Sequence, residues 1–259
     1  MNDTLEASLA NCSRICFVSE PDYDKSKQMR SSSLIEHGGI QGDVKVFAVS
    51  DSDTFKSMDT KKPRSEALLT FHVVCQNRTR GDLKVTVLDS NEKVLATLSR
   101  AGNKSLFSCK ESTKPISIQF PTNDGNFLAR IVPAMAENKG SIECGDKTDT
   151  NKFGFSAHMP TWQASSKWIL CAFVSFFPTF GIGAIVGFCM AQGSTLITSV
   201  KETKSSGETT KLEDAETKGD LTFVRLDGMT EAREKFGLIL LFGYFAANNM
   251  AKPPTNHQV

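Results

Sequence analysis

Side chains that commonly carry catalysis are sparse and scattered in this sequence. The histidines are His37, His72, His158 and His257, and their spacings match no zinc-binding or metalloprotease pattern. Acidic residues are spread through segments predicted to be loops, so no catalytic carboxylate pair stands out. Nucleophile-elbow, phosphate-loop and dinucleotide patterns are absent from the sequence. We therefore expect no catalytic residue, no metal ligand and no cofactor, and an enzyme or transporter is the least favoured class.

The cysteines predict structural bonds rather than redox chemistry, because the sequence contains no Cys-x-x-Cys pair. Cys16, Cys75, Cys109 and Cys144 are the candidates for disulfide bonds. Spacing alone cannot say which of them pair. Cys12 makes the number of cysteines in the first part of the chain odd, which would leave one thiol unpaired or bonded to another molecule.

Glycosylation signals share this part of the chain with those cysteines. Asn77 and Asn103 each begin an Asn-x-Ser/Thr sequon, and we predict that both carry glycans. This asymmetry favours a lumenal or extracellular location for the N-terminal domain. The first residues show no basic and apolar signal-peptide pattern, so the orientation remains open.

A long apolar segment, residues 168–191, contains no charged residue and predicts a transmembrane helix. Trp162 and Trp168 stand at its start, where indole rings favour a membrane interface. Gly183 and Gly187 form a small-residue stripe that could pack against another helix of the same or a partner protein. Lipid and a protein partner, or a second copy of the chain, are thus the expected contacts.

The elements that would position these residues are mainly short strands. Apolar residues alternate with period two at 83–88, 94–98 and 115–120, and turn residues separate these runs. We predict a mainly β fold, an antiparallel β-sandwich over 41–160. A polar segment, 1–40, precedes it and contains a candidate first strand at 15–18.

Two further regions follow the apolar segment. Residues 192–219 are polar, contain no aromatic residue and predict a disordered linker. Residues 230–250 predict a second, short apolar helix with Thr230 as its N-cap. Its uniformly apolar part is short for a standard span, so a membrane-embedded, a half-buried and a partner-docked helix all remain open, the first being favoured. Residues 251–259 form a polar tail.

Residues 82–123 resemble the GOLD domain of p24 (emp24-type) membrane proteins. The likeness lies in an alternating strand, a polar turn at 89–92, a return strand at 94–98 and a strand that contains Phe107. Cys16 and Phe17 are similar to that family's first strand. Ile118 stands about where the family has a cysteine, and the family's coiled coil is missing. The resemblance implies a lumenal β-sandwich that binds cargo or partner proteins.

Charge and composition exclude one broad class of partner. The net charge is +1, which provides no basic surface for nucleic acid. The favoured function is a membrane-anchored protein-binding module that would bind cargo or partners in the secretory pathway. The alternative is a structural or envelope-type surface glycoprotein that oligomerises through its membrane helix.

Overall fold

Antiparallel strands make up most of the structure. The computed structural model describes residues 3–22, 24, 26, 38–58, 66–76, 82–101, 116–121, 128–133, 139–145, 153–158, 196–212 and 215–251. Helices α1 (Asp3–Ala10) and α2 (Ala232–Ala251) lie near the two ends of the chain. The strands are β1 (Arg14–Asp22), β2 (Ile40–Ala48), β3 (Leu69–Cys75), β4 (Leu83–Asp89), β5 (Val94–Arg100), β6 (Ile116–Gln119), β7 (Leu128–Pro133), β8 (Lys139–Gly145), β9 (Phe153–His158), β10 (Leu196–Lys204), β11 (Thr209–Lys211), β12 (Ala215–Lys218) and β13 (Leu221–Arg225).

The strands form one closed barrel, so the prediction of a β-sandwich is wrong. β1 to β9 pair in chain order, β13 pairs with β1, and β12 joins β13 to β10. Pairing of β10 with β9 closes a ring of twelve strands. β11 and β12 follow one another along the same edge of β10. Alternating sequences fit a barrel and a sandwich equally well, because both bury one face of each strand.

The inner face of the barrel is apolar. Leu83, Val85 and Val87 on β4 are buried, as are Phe71 and Val73 on β3, and they belong to one continuous core. The outer positions between them are exposed or half-buried. This period-two pattern is the one that predicted the strands from the sequence.

α2 runs along the inside of the barrel. A Cβ added to Gly237 would lie 3.0 Å from Cys144 Sγ, and one added to Gly140 would lie 2.9 Å from Phe245 Cε1. Positions 237 and 245 are about 12 Å apart along a helix, and positions 144 and 140 are about 13 Å apart along a strand. α2 is therefore antiparallel to β8. We call the barrel end where α2 begins the near end, and the end where it finishes the far end.

Two predictions for the C-terminal part of the chain need correction. Residues 196–204, 209–211 and 215–218 are strands, not a disordered linker, because their backbone groups complete the sheet. The predicted helix at 230–250 exists as α2, but its apolar sides are covered by strands of the barrel and not by lipid. In the part of the chain that the structure describes, no helix is both long and apolar enough to cross a membrane.

Candidate functional site

The predicted membrane segment belongs to the connection between two neighbouring strands. β9 ends at His158, which pairs with Ser199 near the start of β10. The preceding residue, Ala157, pairs with Gly140, which contacts α2 at the far end. Paired Cα atoms of antiparallel strands are about 5 Å apart. Both ends of the connection 159–195 therefore lie side by side at the far end.

This arrangement is incompatible with a single membrane crossing by residues 168–191. A helix of that length would measure about 36 Å and would leave its two ends on opposite sides of the bilayer. Residues 192–195 alone lead back to β10, and four extended residues reach about 14 Å. The predicted transmembrane helix, with Gly183 and Gly187, lies outside the described residues, but the strands on either side make a single-pass helix wrong.

A hydrogen-bonded group fixes α2 at the far end. Arg100, the last residue of β5, donates to Tyr244 Oη at 3.1 Å and to Asn248 Oδ1 at 2.7 Å. Both acceptors lie in the last two turns of α2. The guanidinium group thus joins the barrel wall to the helix at the far end.

A buried lysine fixes the near end. Lys235, in the first turn of α2, is 5% exposed, and its Nζ donates to the carbonyls of Leu9 at 2.9 Å, Ala10 at 2.9 Å and Cys12 at 2.8 Å. The carbonyls of Leu9 and Ala10 end α1, where a helix carries partial negative charge, and that of Cys12 follows it. The ammonium group therefore caps α1 and holds it over the near end.

Acidic side chains meet at the same end. Glu202 on the inner face of β10 is 4% exposed, and its Oε1 is buried without a hydrogen-bond partner among the described residues. Glu234 lies in the first turn of α2. Burial raises the pKa of Glu234, and the nearby carboxylates of Glu202 and Glu231 raise it further, whereas a hydrogen bond from the backbone of Glu231 and the charge of Lys204 lower it. Glu202 and Glu231 thus act on Glu234 from two sides, with Lys204 as a neighbouring cation.

A separate groove of about 760 Å³ opens on the outer face of the barrel wall, where the exposed residues Arg130, Glu143 and Thr203 line it. Thr203, Lys204 and Ser205 line one side of it, directly after Glu202 on the chain. Gly154 and Glu143 belong to the opposite wall, on β9 and β8. Gly154 leaves space because a Cβ there would meet only the carbonyl oxygens of Ile142 and Thr203, at 3.5 and 4.0 Å.

One histidine lies in a hydrogen-bonded pair on the outer surface. His72 Nδ1 is 2.8 Å from Asp43 Oδ1, and its Nε2 is 3.2 Å from Gln41 Nε2. A carboxylate at Nδ1 orients an imidazole as it does in acid–base catalysis, but the amide of Gln41 occupies the other nitrogen. This arrangement satisfies the ring and offers no free base.

The cysteines that the structure describes are buried thiols, so the prediction of disulfide bonds among them is wrong. Cys16, Cys75 and Cys144 form no disulfide bond with a described residue, and Cys109 lies outside the described residues. Cys16 faces outward, in a cluster with Val18, Phe47 and Phe223, whereas Cys75 and Cys144 face the inner core. Cys144 adjoins the first turns of α2 and Cys75 pairs with Ile40 towards the far end. These thiols therefore lie in separate regions.

Other predicted sites remain predictions. Asn77 and Asn103 lie outside the described residues. Within the described ranges, no group of three or more His, Cys, Asp or Glu side chains is arranged to hold a metal ion. Sequence reasoning missed Lys235 and Glu202. The position of Lys235 beside an uninterrupted apolar helix was a signal that this lysine could be buried. The polar sequence around Glu202 gave no such signal.

Comparison with known proteins adds no relative. The chain matches no protein-family model, no curated protein and no solved structure. The class of protein that the fold defines is therefore a closed antiparallel barrel built around its own C-terminal helix. The resemblance of 82–123 to the GOLD domain stays a prediction.

Proposed function

We propose that this chain is a non-catalytic, membrane-attached binding protein. The barrel is the scaffold, and residues 168–191 enter one leaflet of the membrane as a loop that leaves and returns at the far end. The observation that supports this most directly is the pairing of His158 with Ser199, which keeps both ends of the connection together.

The apolar character of the loop supports lipid as its partner. Exposing an apolar, uncharged segment to water is unfavourable. The natural partners of such a surface are lipid or an apolar protein surface. Trp162 and Trp168 would lie at the headgroup level. Pro178, in the middle of the segment, disfavours a continuous helix there and fits a chain that turns back.

The barrel itself supports a binding role over a transport role. α2 fills the space inside the strands, and its residues from Phe236 to Tyr244 are all buried. What remains for other molecules is the outer surface and the ends. With the far end on the membrane, α1 and the groove at the near end would face a protein partner in solution.

Flotation of the full chain with phosphatidylcholine–phosphatidylserine vesicles tests the proposal. The first variant replaces residues 164–193 with a short Gly-Ser turn, which the side-by-side strand ends should accept. The second is Phe177→Glu, which places a charge near the middle of the loop. Its matched control is Val94→Glu, because Val94 is an exposed apolar residue at the start of β5, at the near end.

We expect the wild-type chain and Val94→Glu to float with vesicles and both loop variants to stay in solution. Circular dichroism should show the same strand content in all four proteins. Vesicle binding by the variant without the loop would contradict the proposal. Failure of the wild-type chain to bind vesicles would also contradict it.

A further inference from the structure

We propose that Glu202 and Glu234 form a binding position for an arginine side chain of a protein partner that docks at the near end. The inference deepens the proposed binding role and rests on it. The partner chemistry follows from the charge and the unused hydrogen-bonding capacity of this group.

Glu202 supplies the first argument. Its Oε1 is buried and accepts no hydrogen bond among the described residues, although its strand neighbour Phe155 is part of the core. A buried carboxylate oxygen without a donor is costly, and such groups usually mark a place where a water, an ion or a ligand completes the site. The missing component is a donor, preferably one with positive charge.

The surroundings of Glu202 supply the second argument. Glu234 is half-buried on α2, and Glu231 precedes that helix. Lys204 is the cation that acts on Glu234, whereas Lys235 is turned towards the carbonyls of α1. One further positive charge would therefore find acceptors on both β10 and α2.

A guanidinium group fits this position better than a metal ion. The described residues contain no three-ligand group for a metal, and two carboxylates alone give a weak ion site. A guanidinium group has five N–H donors in a planar fork that can serve two carboxylates.

The probe is the peptide acetyl-Gly-Gly-Arg-Gly-Gly-amide, titrated into the full chain and followed by amide chemical shifts. Its matched control contains citrulline, which has nearly the same shape but no charge. The protein variants are Glu202→Gln and Glu234→Gln. Glu216→Gln on β12 is the control, because Glu216 is also acidic but exposed.

We expect shifts at residues 202–205 and 231–235 with the arginine peptide. Affinity should fall about tenfold or more for the citrulline peptide and for either site variant, and less than about twofold for Glu216→Gln. Equal losses in all three variants would show unspecific charge attraction and overturn the site. Calcium chloride shifting the same amides while the arginine peptide does not would overturn the choice of ligand.

Vesicle flotation of Glu202→Gln separates this inference from the proposed membrane attachment. The substitution lies at the near end, so we expect flotation to be unchanged. Lost peptide binding with normal flotation supports the arginine position. Absent peptide binding by the wild-type protein with normal flotation overturns the arginine position and leaves membrane attachment standing.

Discussion

Gly243 of α2 lies directly against the ring of Phe71 on β3, in the middle of the barrel. A Cβ added at Gly243 would overlap Cε1 and Cζ of that ring. Phe71 is fully buried and also contacts the ring of Phe17, with the ring centroids 6.5 Å apart. The glycine therefore sets how closely the helix approaches the wall.

Gly243→Ala should destabilise the protein even though alanine is the better helix former. Intrinsic propensity alone would favour alanine by about 1 kcal/mol. Overpacking of a filled core costs about 1–3 kcal/mol, and the fully buried ring of Phe71 would have to shift. We expect a net loss in the free energy of unfolding, measured by urea denaturation.

Asn249→Ala is the control for that experiment, because Asn249 is an exposed position in the same helix. We expect it to be neutral or slightly stabilising. Gly243→Ala with Phe71→Leu should recover part of the loss, since the smaller side chain makes room. A Gly243→Ala protein as stable as the wild type would show that α2 does not pack against β3 in this way.

Lys235→Met should release α1 from the near end. The substitution removes three hydrogen bonds and leaves the carbonyls of Leu9, Ala10 and Cys12 without their cation. We expect a loss of about 1–3 kcal/mol, because buried carbonyl oxygens are left without a donor. Hydrogen exchange should show faster exchange of the α1 amides. Arg233→Met, at an exposed position two residues before Lys235, should leave α1 protected. Equal protection in both variants would contradict the capping role.

Protonation of Glu234 should make the folded protein more stable in mild acid than at neutral pH. Its pKa is raised by burial and by its acidic neighbours, so the folded protein binds a proton at a higher pH than the unfolded chain. The free energy of unfolding therefore rises as pH falls through the folded pKa, and the gain is complete below the unfolded value of about 4.3. At neutral pH this stabilising contribution is absent.

Urea denaturation across that range, for wild type and Glu234→Gln, measures this contribution. The stability advantage of Glu234→Gln should be largest at neutral pH and should shrink as pH falls. Burial also raises the pKa of Asp220. Asp220 contributes equally to both proteins, so its effect cancels in the difference between their free energies of unfolding. A difference that stays constant with pH would rule out the assigned titration.

The buried thiols should resist alkylation until the protein unfolds. Cys16, Cys75 and Cys144 are buried, and burial raises the pKa of the Cys144 thiol, with a smaller contribution from Glu143. Because the thiolate is the reactive form, native labelling with iodoacetamide should be slow. Labelling in urea without reductant, analysed by peptide mass spectrometry, should be complete at all three. Labelling that requires reductant would reveal a disulfide.

The sequon prediction can be tested together with the membrane proposal. Asn77 lies between β3 and β4, and Asn103 lies between β5 and β6, so both connections start at the far end. If the protein enters the secretory pathway, glycosidase digestion should increase gel mobility, and Asn77→Gln with Asn103→Gln should remove the shift. Because glycans there would crowd the surface that is proposed to meet lipid, a full shift would argue against attachment through the far end.

Local structure followed from the sequence where a pattern had one physical explanation. Alternation placed β4 and β5 within two residues, because a strand with one buried face has period two. The apolar run after Arg233 placed α2, because a helix that is apolar all round must be buried in something. The sequence could not say whether lipid or protein buries it, since both provide an apolar surrounding without water.

The tertiary structure decided what the local patterns left open. Closure of the barrel depends on β9 meeting β10 across 37 intervening residues and on β13 meeting β1 from the other end of the chain. Those pairings give the polar strands β10 to β12 their partners and place α2 inside. They also bring Glu202 against Glu234 and Lys235 against α1. No spacing in the sequence records these contacts, because they join residues that only the closed barrel makes neighbours.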